Sequence, residues 1–419
     1  MSTKKYWKGL PELTQSEEFL AQQQNEFAEN LPIDEVIGNK AENNEGTSRR
    51  DFLKFVGFTT AAAALASCET PVINSIPYVV KPEGVTPGVA NFYASTFYDG
   101  HDFASVLVKT REGRPIKIEG NKLSQLTMGT GGTSARVQAS VLSLYDSARL
   151  KGPLVNGKDS TWPTADQAIV DELKKISAAG KKVVFLSSSV ISPSTKSIIK
   201  SFTTSYPSVK HVTFDAVSYS ALRYANNVTW AKNEIASYNF EKANVIVGIA
   251  CDFLGNWLNP IEFAAQYGMT RKVSKENPVM SKHYHFESNL SLTGANADER
   301  FPVKPSEFGK IAVSLFNEVA ALTGNKPGAE VSVASAAAVK KIAKQLVDNK
   351  GKSLVVCGIN ENNIQVIVSG INRMLENYGK TLDVDTPLYL KQGDDKEVIN
   401  FTKELRDGKI AGETGRAHV

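Results

Sequence analysis

Three cysteines are the thiol ligands that the 419-residue sequence offers to a metal: Cys68, Cys251 and Cys357. An iron–sulfur cubane is normally held by four Cys thiolates, and a c-type haem is attached through a C-x-x-C-H motif. No two of the three cysteines lie within the reach of such a motif, so the chain cannot assemble either centre alone. Cys251 and Cys357 each follow an apolar segment (245–249 and 354–356), which predicts free, buried thiols that serve as packing.

A histidine pair has the residue types of a metal or haem site. His283 and His285 are two residues apart, so both imidazoles face one side of the chain if this segment is a strand. Neither a Cys nor a third His lies near them in sequence to complete a tetrahedral site. An incomplete metal site, a haem-facing position and a solvent-exposed surface are all compatible with the pattern.

Oxygen ligands are another possibility, because Asp215, Ser218 and Ser220 follow a predicted strand where molybdenum could take a Ser or Asp ligand. Serines at a strand-to-helix turn are more commonly N-caps, and we interpret these serines in that way. The glycine-rich segment 129–132 could hold a pyrophosphate. Without a buried strand before it, this pattern alone does not define a phosphate site.

The clearest local motif is an export signal. Arg49 and Arg50 precede a mildly apolar stretch at residues 55–67, a combination typical of a twin-arginine signal. We predict that residues 48–68 form this signal and that the twin-arginine translocase is a partner. The alternative is a short buried helix, since residues 61–66 are good helix formers.

The signal ends in Leu-Ala-Ser-Cys68, which resembles a lipobox, so Cys68 is the predicted lipidation site. Acyl chains anchor a protein through ~0.8 kcal/mol per buried methylene. An ordinary cleavage site beside an incidental cysteine is the alternative. Residues 69–90 contain four prolines and are predicted to form an extended tether. The polar extension 1–47 is either a binding segment for a maturation factor or a dispensable leader.

Composition excludes some classes of function. The chain is 42% hydrophobic and 22% charged, as in soluble globular proteins. No segment reaches the ~18 apolar residues of a membrane-spanning helix. The formal net charge is +4, and the basic residues are scattered along the sequence. No nucleic-acid partner is therefore predicted.

The candidate residues must be positioned by an alternation of strands and helices. Residues 91–160 are predicted to be a small β-rich module, with a tight Glu112-Gly113 turn joining two strands. Beyond it, amphipathic helices alternate with short apolar runs typical of parallel strands covered on both faces. We therefore predict an α/β fold with parallel-sheet domains at 161–305 and 306–419.

The individual elements follow from hydrophobic periodicity. The predicted strands are at residues 105–111, 115–119, 182–186, 209–214, 244–249 and 353–356. The predicted helices are at residues 134–145, 166–177, 195–204, 219–226, 307–322, 334–348, 363–378 and 397–406.

The C-terminal segment lacks an apolar strand. After the helix at 397–406, residues 411–419 are polar and are predicted to form no strand. A helix without its returning strand leaves a sheet position unfilled. We therefore predict that the 306–419 domain is truncated or that the protein is split.

Several segments resemble a known superfamily. Asp99-Gly100, REGRPIKIEGN at 111–121 and LYDSARLKGP at 144–153 resemble the opening of molybdopterin oxidoreductases. ACDFLGNW at 250–257 and ESNLSLTGANAD at 287–298 are similar to the large iron–sulfur subunit of bacterial alternative complex III. The delayed arginine pair is a further similarity, and the resemblance extends to about residue 410.

The resemblance implies a molybdopterin-oxidoreductase-like body that has lost its cofactor. In that family a ferredoxin-like C-terminal half, absent from this sequence, carries the iron–sulfur clusters. The cysteine cluster of active members is also absent, and Thr130, Thr133 and Ser134 stand where active enzymes often have a Cys. Neither molybdopterin nor any other cofactor is therefore expected in this chain. Iron–sulfur clusters are expected in the missing half or in a partner.

The resemblance also implies a place and partners. The family's subunit lies at the periplasmic face of the inner membrane, where this chain would be lipid-anchored or complex-bound. Its partners would be a multihaem cytochrome c and integral membrane quinol-oxidising subunits. Our leading hypothesis is a scaffold in such an oxidoreductase complex, not catalytic alone. The alternatives are an active periplasmic molybdopterin oxidoreductase with a Ser or Asp metal ligand, and a stand-alone lipoprotein binding module.

Overall fold

The computed structural model describes residues 83–275 and 278–415. Arg49, Arg50 and Cys68 lie outside the described residues, as do the N-terminal extension and the first part of the predicted tether. The export signal and the lipidation site therefore stay predictions. Among the described residues, no helix combines the length and apolar character needed to cross a bilayer.

The described elements are numbered here in chain order. The strands are β1 Asn91–Tyr98, β2 Phe103–Arg111, β3 Arg114–Gly120, β4 Leu154–Val155, β5 Lys158–Asp159, β6 Lys182–Ser187, β7 Val209–Thr213, β8 Ile235–Tyr238, β9 Val245–Ile249, β10 Lys282–Glu287, β11 Glu299–Pro302, β12 Ser353–Cys357, β13 Leu382–Leu388 and β14 Ile410–Gly415. The helices are α1 Ala135–Ala139, α2 Trp162–Ala178, α3 Pro193–Ser205, α4 Ser220–Trp230, α5 Pro260–Arg271, α6 Leu292–Ala295, α7 Phe308–Thr323, α8 Ala336–Asp348, α9 Asn362–Met374 and α10 Asp395–Arg406.

The N-terminal module is an antiparallel meander of β1, β2 and β3. Glu112 and Gly113 both have positive φ, 50° and 75°, so the predicted tight turn is confirmed and has the backbone twist that two-residue hairpins favour. One face of the sheet packs Val106 and Ile118 against Val137 of α1 and Ile261 of α5. Helix α1 is shorter than the predicted helix at 134–145, because residues 140–144 continue as 3-10 turns.

The main buried sheet has the order β11-β10-β9-β12 in the described part of the chain, and its strands are parallel. Every residue of β9 and β12 is buried, as their continuous apolar sequences predict. Helices α7, α8 and α9 cover one face with Leu315, Ile342 and Ile371. Each such side chain contributes about 1.5–3 kcal/mol on burial. This core fixes the positions of the strand ends.

A second parallel sheet has the order β14-β6-β7 and corrects one prediction. Residues 410–415 form strand β14 beside β6, so the prediction that the C-terminal segment forms no strand was wrong. Only Ile410 of this strand is buried. An edge strand is held by backbone hydrogen bonds on one side and needs no continuous apolar run. The unfilled sheet position, which was our reason for predicting a truncated domain, is occupied.

The two predicted α/β segments share their sheets. Strand β12 lies beside β9, and β13 pairs with β8 in an antiparallel ribbon. Strand β14 likewise joins β6, so the predicted boundary at residue 305/306 falls between strands of common sheets. The fold is the predicted α/β class with a small β-rich N-terminal module.

Candidate functional site

Ligands of open parallel sheets usually bind at the carboxyl ends of the strands, where the strand order changes direction. In the main sheet this place lies between β9 and β12. Here the N–H of Gly358 donates a 3.0 Å hydrogen bond to the carbonyl oxygen of Ile249. A Cβ at Gly358 would lie 2.0 Å from the carbonyl oxygen of Ala250. Protein backbone therefore fills this crevice.

The carboxylates at the same edge are engaged by neighbouring groups. Asp252 accepts hydrogen bonds from the N–H and the hydroxyl of Thr293, at 3.0 and 2.7 Å. Glu287 is almost fully buried and accepts from Arg300 and from the Ser291 hydroxyl, both at 2.5 Å. Burial alone would raise the pKa of Glu287, but these hydrogen bonds outweigh it and the pKa is lowered. Its carboxylate is thus ionised and paired inside the protein.

The histidine pair lies on β10 and is fully buried, so the solvent-exposed interpretation was wrong. The centroids of the two imidazole rings are 5.4 Å apart. Burial lowers the pKa of both imidazoles, that of His283 to about 3, so both are neutral near pH 7. His285 Nε2 lies 3.4 Å from Glu287 Oε2 without forming a hydrogen bond, and His283 Nε2 has no partner in the described part of the chain.

A metal would find no ligand set around these histidines. A Cβ at Gly248 would lie 2.3 Å from His285 Nδ1, so the ring is packed directly on the backbone of β9. The Tyr267 hydroxyl lies 3.2 Å from His283 Nδ1. Across residues 83–275 and 278–415, no group of three or more His, Cys, Asp or Glu side chains has the arrangement of a metal site.

Cys251 and Cys357 are free and buried, in agreement with the prediction that they serve as packing. Burial raises the pKa of both thiols, that of Cys357 to about 12. A thiol in an apolar environment is neither a good nucleophile nor a good metal ligand.

At the carboxyl edge of the second sheet, Asp215 connects three loops. Its buried carboxylate accepts hydrogen bonds from the Ser189 N–H and hydroxyl at 3.0 and 2.7 Å, and from the N–H groups of Gln392 and Gly393 at 3.2 and 2.9 Å. Four hydrogen bonds to one carboxyl group fix its position. The role of Asp215 in this fold is therefore to hold the loops after β6 and β13 together.

Ser218 and Ser220 are engaged by backbone donors, but not as the predicted N-caps. Ser218 Oγ accepts from the N–H of Ser220 at 3.1 Å in a local turn, and Ser220 Oγ accepts from the N–H of Asp395 at 3.3 Å. The N-cap of α4 is Tyr219, whose side chain makes no capping bond. The two serines therefore fasten α4 to its own turn and to the start of α10.

The glycine-rich turn has its N–H groups occupied as well. The N–H of Gly129 donates to the Ser124 carbonyl, that of Thr130 to the Thr127 carbonyl, and that of Gly131 to the Thr127 hydroxyl. None of these three donors remains for a phosphate. Ser134 caps α1 by accepting from the N–H of Val137 at 3.2 Å, and its hydroxyl donates a 2.5 Å hydrogen bond to buried Asp102.

Open space does exist beside the second sheet. A cavity of about 370 Å³ lies at the carboxyl ends of β6, β7 and β14 and is lined by His101, Asp215 and Lys391, among others. Lys391 also lines a neighbouring cavity of about 510 Å³. Lys391 was not among the residues predicted from the sequence, because a lone lysine in a loop has no spacing signal. The Glu287–Arg300 pair was not predicted either, although Glu287 begins a segment that carried the resemblance.

The chain is similar to a curated protein and, at low identity, to solved structures. No family model matches the chain. The chain is 24% identical over 287 residues to the menaquinone reductase, molybdopterin-binding-like subunit of Nitratidesulfovibrio vulgaris; the match covers 64% of this chain and only 39% of that protein's length. This similarity supports the molybdopterin oxidoreductase superfamily. The finer assignment to alternative complex III remains a prediction.

Two solved structures have limited similarity to the fold. Acetylene hydratase from Pelobacter acetylenicus has a TM-score of 0.44 at 12% identity, covering 70% of this chain and 42% of the other. The formyltransferase/hydrolase complex from Methylorubrum extorquens has a TM-score of 0.38 at 15% identity, covering 54% of this chain and 57% of the other. At these scores neither structure informs the function.

Proposed function

We propose that the chain is a subunit of a membrane-associated respiratory quinone oxidoreductase, in which it is a scaffold that carries no cofactor. The similarity to a menaquinone reductase subunit is the observation that carries this proposal. That relative is named as molybdopterin-binding-like. In the main sheet the geometry supports a scaffold, because the polar groups at its strand ends, where a cofactor of an α/β protein would bind, are engaged by other described residues.

The support from geometry is specific to the strand ends. The crevice between β9 and β12 is filled by the backbones of Ala250 and Gly358. Asp252 and Glu287 accept hydrogen bonds from side chains and N–H groups of the same edge, and Asp215 does so in the second sheet. A phosphate-bearing cofactor would have to break these bonds, each of which costs about 1–3 kcal/mol to leave unmade.

The finer assignment follows the resemblance found in the sequence. We propose an alternative complex III-like assembly at the periplasmic face of the inner membrane, reached through the twin-arginine translocase. Its iron–sulfur and haem groups would belong to a multihaem cytochrome c, to quinol-oxidising membrane subunits, or to a cluster-bearing polypeptide outside this chain. The scaffold would hold these electron carriers within transfer distance of one another.

Metal analysis tests the proposal directly. The chain is purified from its own membranes in mild detergent, and iron, molybdenum and haem c are measured per chain together with quinol oxidation. The expected result is co-purification with c-type haem, quinol oxidation by the assembly, and no molybdenum bound to the chain after the partners are removed.

The opposite result identifies the alternative function. One molybdenum per isolated chain, with pterin fluorescence after acid treatment, would show an active molybdopterin oxidoreductase with a Ser or Asp ligand. Isolation from membranes without any haem-bearing or quinol-oxidising partner would favour the stand-alone binding module.

A further inference from the structure

The cavity of about 510 Å³ beside the second sheet is rich in positive charge. Its walls are formed by α3, β7, the start of α4, β8 and residues 388–392. Its lining includes four cationic side chains against the single acidic side chain of Glu234; the cations are Lys196, Lys200, Arg223 and Lys391. Such an excess of cations around a concave surface attracts anions and raises their local concentration.

Lys391 is the one buried residue among these four cations. It is only 6% exposed, and it makes no hydrogen bond or ion pair to any residue in the described ranges. Burial lowers its pKa first of all, and the positive charge of Arg136 lowers it further. Its ammonium is not among the fully enclosed unpaired atoms, so it reaches cavity space, and Asp215 and Asp99 offset part of its desolvation through space. Because the side chain lines the cavity, a ligand there can supply the missing partner.

The nearby carboxylates do not serve as that partner. Asp215 and Asp99 favour the charged form of Lys391 only through space. Asp215 already accepts from Ser189 and two backbone N–H groups. Asp99 accepts from the N–H groups of His101 and Asp102 at 2.8 Å. Among residues 83–275 and 278–415 no carboxylate pairs directly with Lys391, so a bound anion can do so.

Two further ammonium groups approach from α3. Lys196 and Lys200 are one helical turn apart, so they project from the same helix face toward the cavity. Lys196 Nζ donates to Gln392 Oε1 at 2.9 Å and lies 5.7 Å from the Tyr389 ring, which holds its position. The Lys200 ammonium makes no hydrogen bond or ion pair to a described residue. Its ammonium is free to close over a bound anion.

Arg223 contributes charge but few free donors. Its guanidinium donates to the carbonyl oxygens of Asn233, Gln392 and Gly393. These bonds fix the loop that carries Lys391 against α4. The arginine therefore organises the cavity and adds to its potential, while the three lysines offer the donors.

We propose that this cavity binds a phosphate group through Lys391, Lys196 and Lys200. Lysines bind phosphate as point charges, and a group carrying up to two negative charges matches three ammonium groups better than a single carboxylate does. The phosphate can belong to a soluble phosphate compound or to the headgroup of an anionic phospholipid. This cavity adjoins the strand ends of the second sheet and is distinct from the crevice between β9 and β12, and the proposal does not depend on the proposed function.

Titration with inorganic phosphate tests the site on the full-length chain, purified from its membranes in mild detergent. Calorimetry at low ionic strength measures the affinity of wild type, Lys391→Met, Lys200→Gln and the control Lys175→Met. Lys175 is exposed, pairs with Glu172 and does not line the cavity. We expect about tenfold weaker binding for Lys391→Met, as for the loss of one charge-assisted hydrogen bond. The Lys175→Met variant should bind as wild type does.

Vesicle sedimentation distinguishes the two sources of phosphate. Binding to vesicles of phosphatidylglycerol but not of phosphatidylcholine, reduced by Lys391→Met and Lys200→Gln, supports a lipid headgroup. Saturable binding of free phosphate without vesicle binding supports a soluble ligand. The proposal is overturned if neither probe binds, or if binding is the same in the cavity variants and in Lys175→Met. Lys200 is exposed, so Lys200→Gln should fold normally. This variant therefore tests the site even if Lys391→Met does not fold.

Discussion

Gly358 and Ala250 meet backbone to backbone at the carboxyl ends of β12 and β9, so closely that a Cβ on Gly358 would lie 2.0 Å from the Ala250 carbonyl oxygen. The contact is held by the hydrogen bond from the Gly358 N–H to the Ile249 carbonyl. Ala250 itself has a positive φ of 47°. The two loops therefore close the place where a doubly wound sheet usually binds its ligand.

Gly358→Ala should destabilise the protein, because the new methyl group forces these two loops apart. We expect a loss of about 1–3 kcal/mol in the free energy of unfolding, as for other overpacked sites. Gly268→Ala is the matched control, since Gly268 lies in α5 with nothing within 4 Å of its Cβ position. That change should stabilise by about 0.5–1 kcal/mol. Urea denaturation measures both; equal stabilities of the two variants would show that the crevice is open.

Asp298→Asn should weaken the anchoring of β10. Asp298 accepts two hydrogen bonds from Arg271, at 2.7 and 2.9 Å, and one from the His283 N–H at 2.7 Å. Both side chains are about four-fifths buried. Loss of this charge pair should cost about 2 kcal/mol or more in stability. Glu172→Gln, which removes an exposed pair with Lys175, should change stability by less than about 0.5 kcal/mol.

Asp298 should also make the stability of the protein depend on pH, with less stability in acid. Burial raises the pKa of Asp298, but the hydrogen bonds from Arg271 and His283 outweigh it, so the pKa is lowered below 3.8. A carboxyl group with a lowered pKa stabilises the fold above the pKa of the unfolded chain, and this stabilisation is lost as the pH falls through the folded value. The difference in unfolding free energy between wild type and Asp298→Asn should therefore shrink below about pH 4. A constant difference down to pH 3 would contradict this.

His283→Phe should make the protein more resistant to acid. Burial is the main cause, and the neighbouring His285 the next, that lowers the pKa of His283 to about 3 in the folded protein. In the unfolded chain the pKa of this imidazole is about 6.5. Stability is therefore lost as the pH falls from 6.5 toward 3, by at most about 1.4 kcal/mol per pH unit. The variant lacks this loss, and the Tyr267 hydroxyl keeps its 3.0 Å bond to the Asn296 carbonyl. Urea unfolding between pH 7 and 4 measures the slope; an unchanged slope would refute the assignment.

Thiol labelling checks the burial of the two inner cysteines. In a Cys68→Ser variant, neither Cys251 nor Cys357 should react with a thiol reagent in the native state, because both are about 1% exposed and their pKa values are raised. In urea both should react. Rapid labelling of a native thiol would mean that the loops after β9 or β12 open in solution.

The helices and strands followed from the sequence wherever a single face or a continuous apolar run was buried. Strands β9 and β12 were predicted within one or two residues, because parallel strands covered on both faces are apolar throughout. Helix α5 was missed. It buries Phe263, Gln266 and Tyr267 on more than one side, so it lacks the one-sided stripe by which a surface helix is found.

The candidate site was harder to predict, because partners come from distant parts of the chain. Asp215 was considered as a metal ligand because it follows a predicted strand, but the donors that engage it lie on the loops after β6 and β13. The burial of His283 and His285 depends on β10 lying between β9 and β11. A sequence gives the type and spacing of such groups, but not what surrounds them.

The sequence by itself determined the α/β class, the hairpin of the first module and the shortage of thiol ligands, because these depend on local periodicity, turn residues and simple counts. Tertiary structure alone decided that polar strand β14 joins the second sheet, that the strand-end carboxylates are engaged by their neighbours, and that Lys391 has no hydrogen-bond or ion-pair partner among residues 83–275 and 278–415. Each of these depends on contacts between residues far apart in sequence, and only the folded chain brings those residues together.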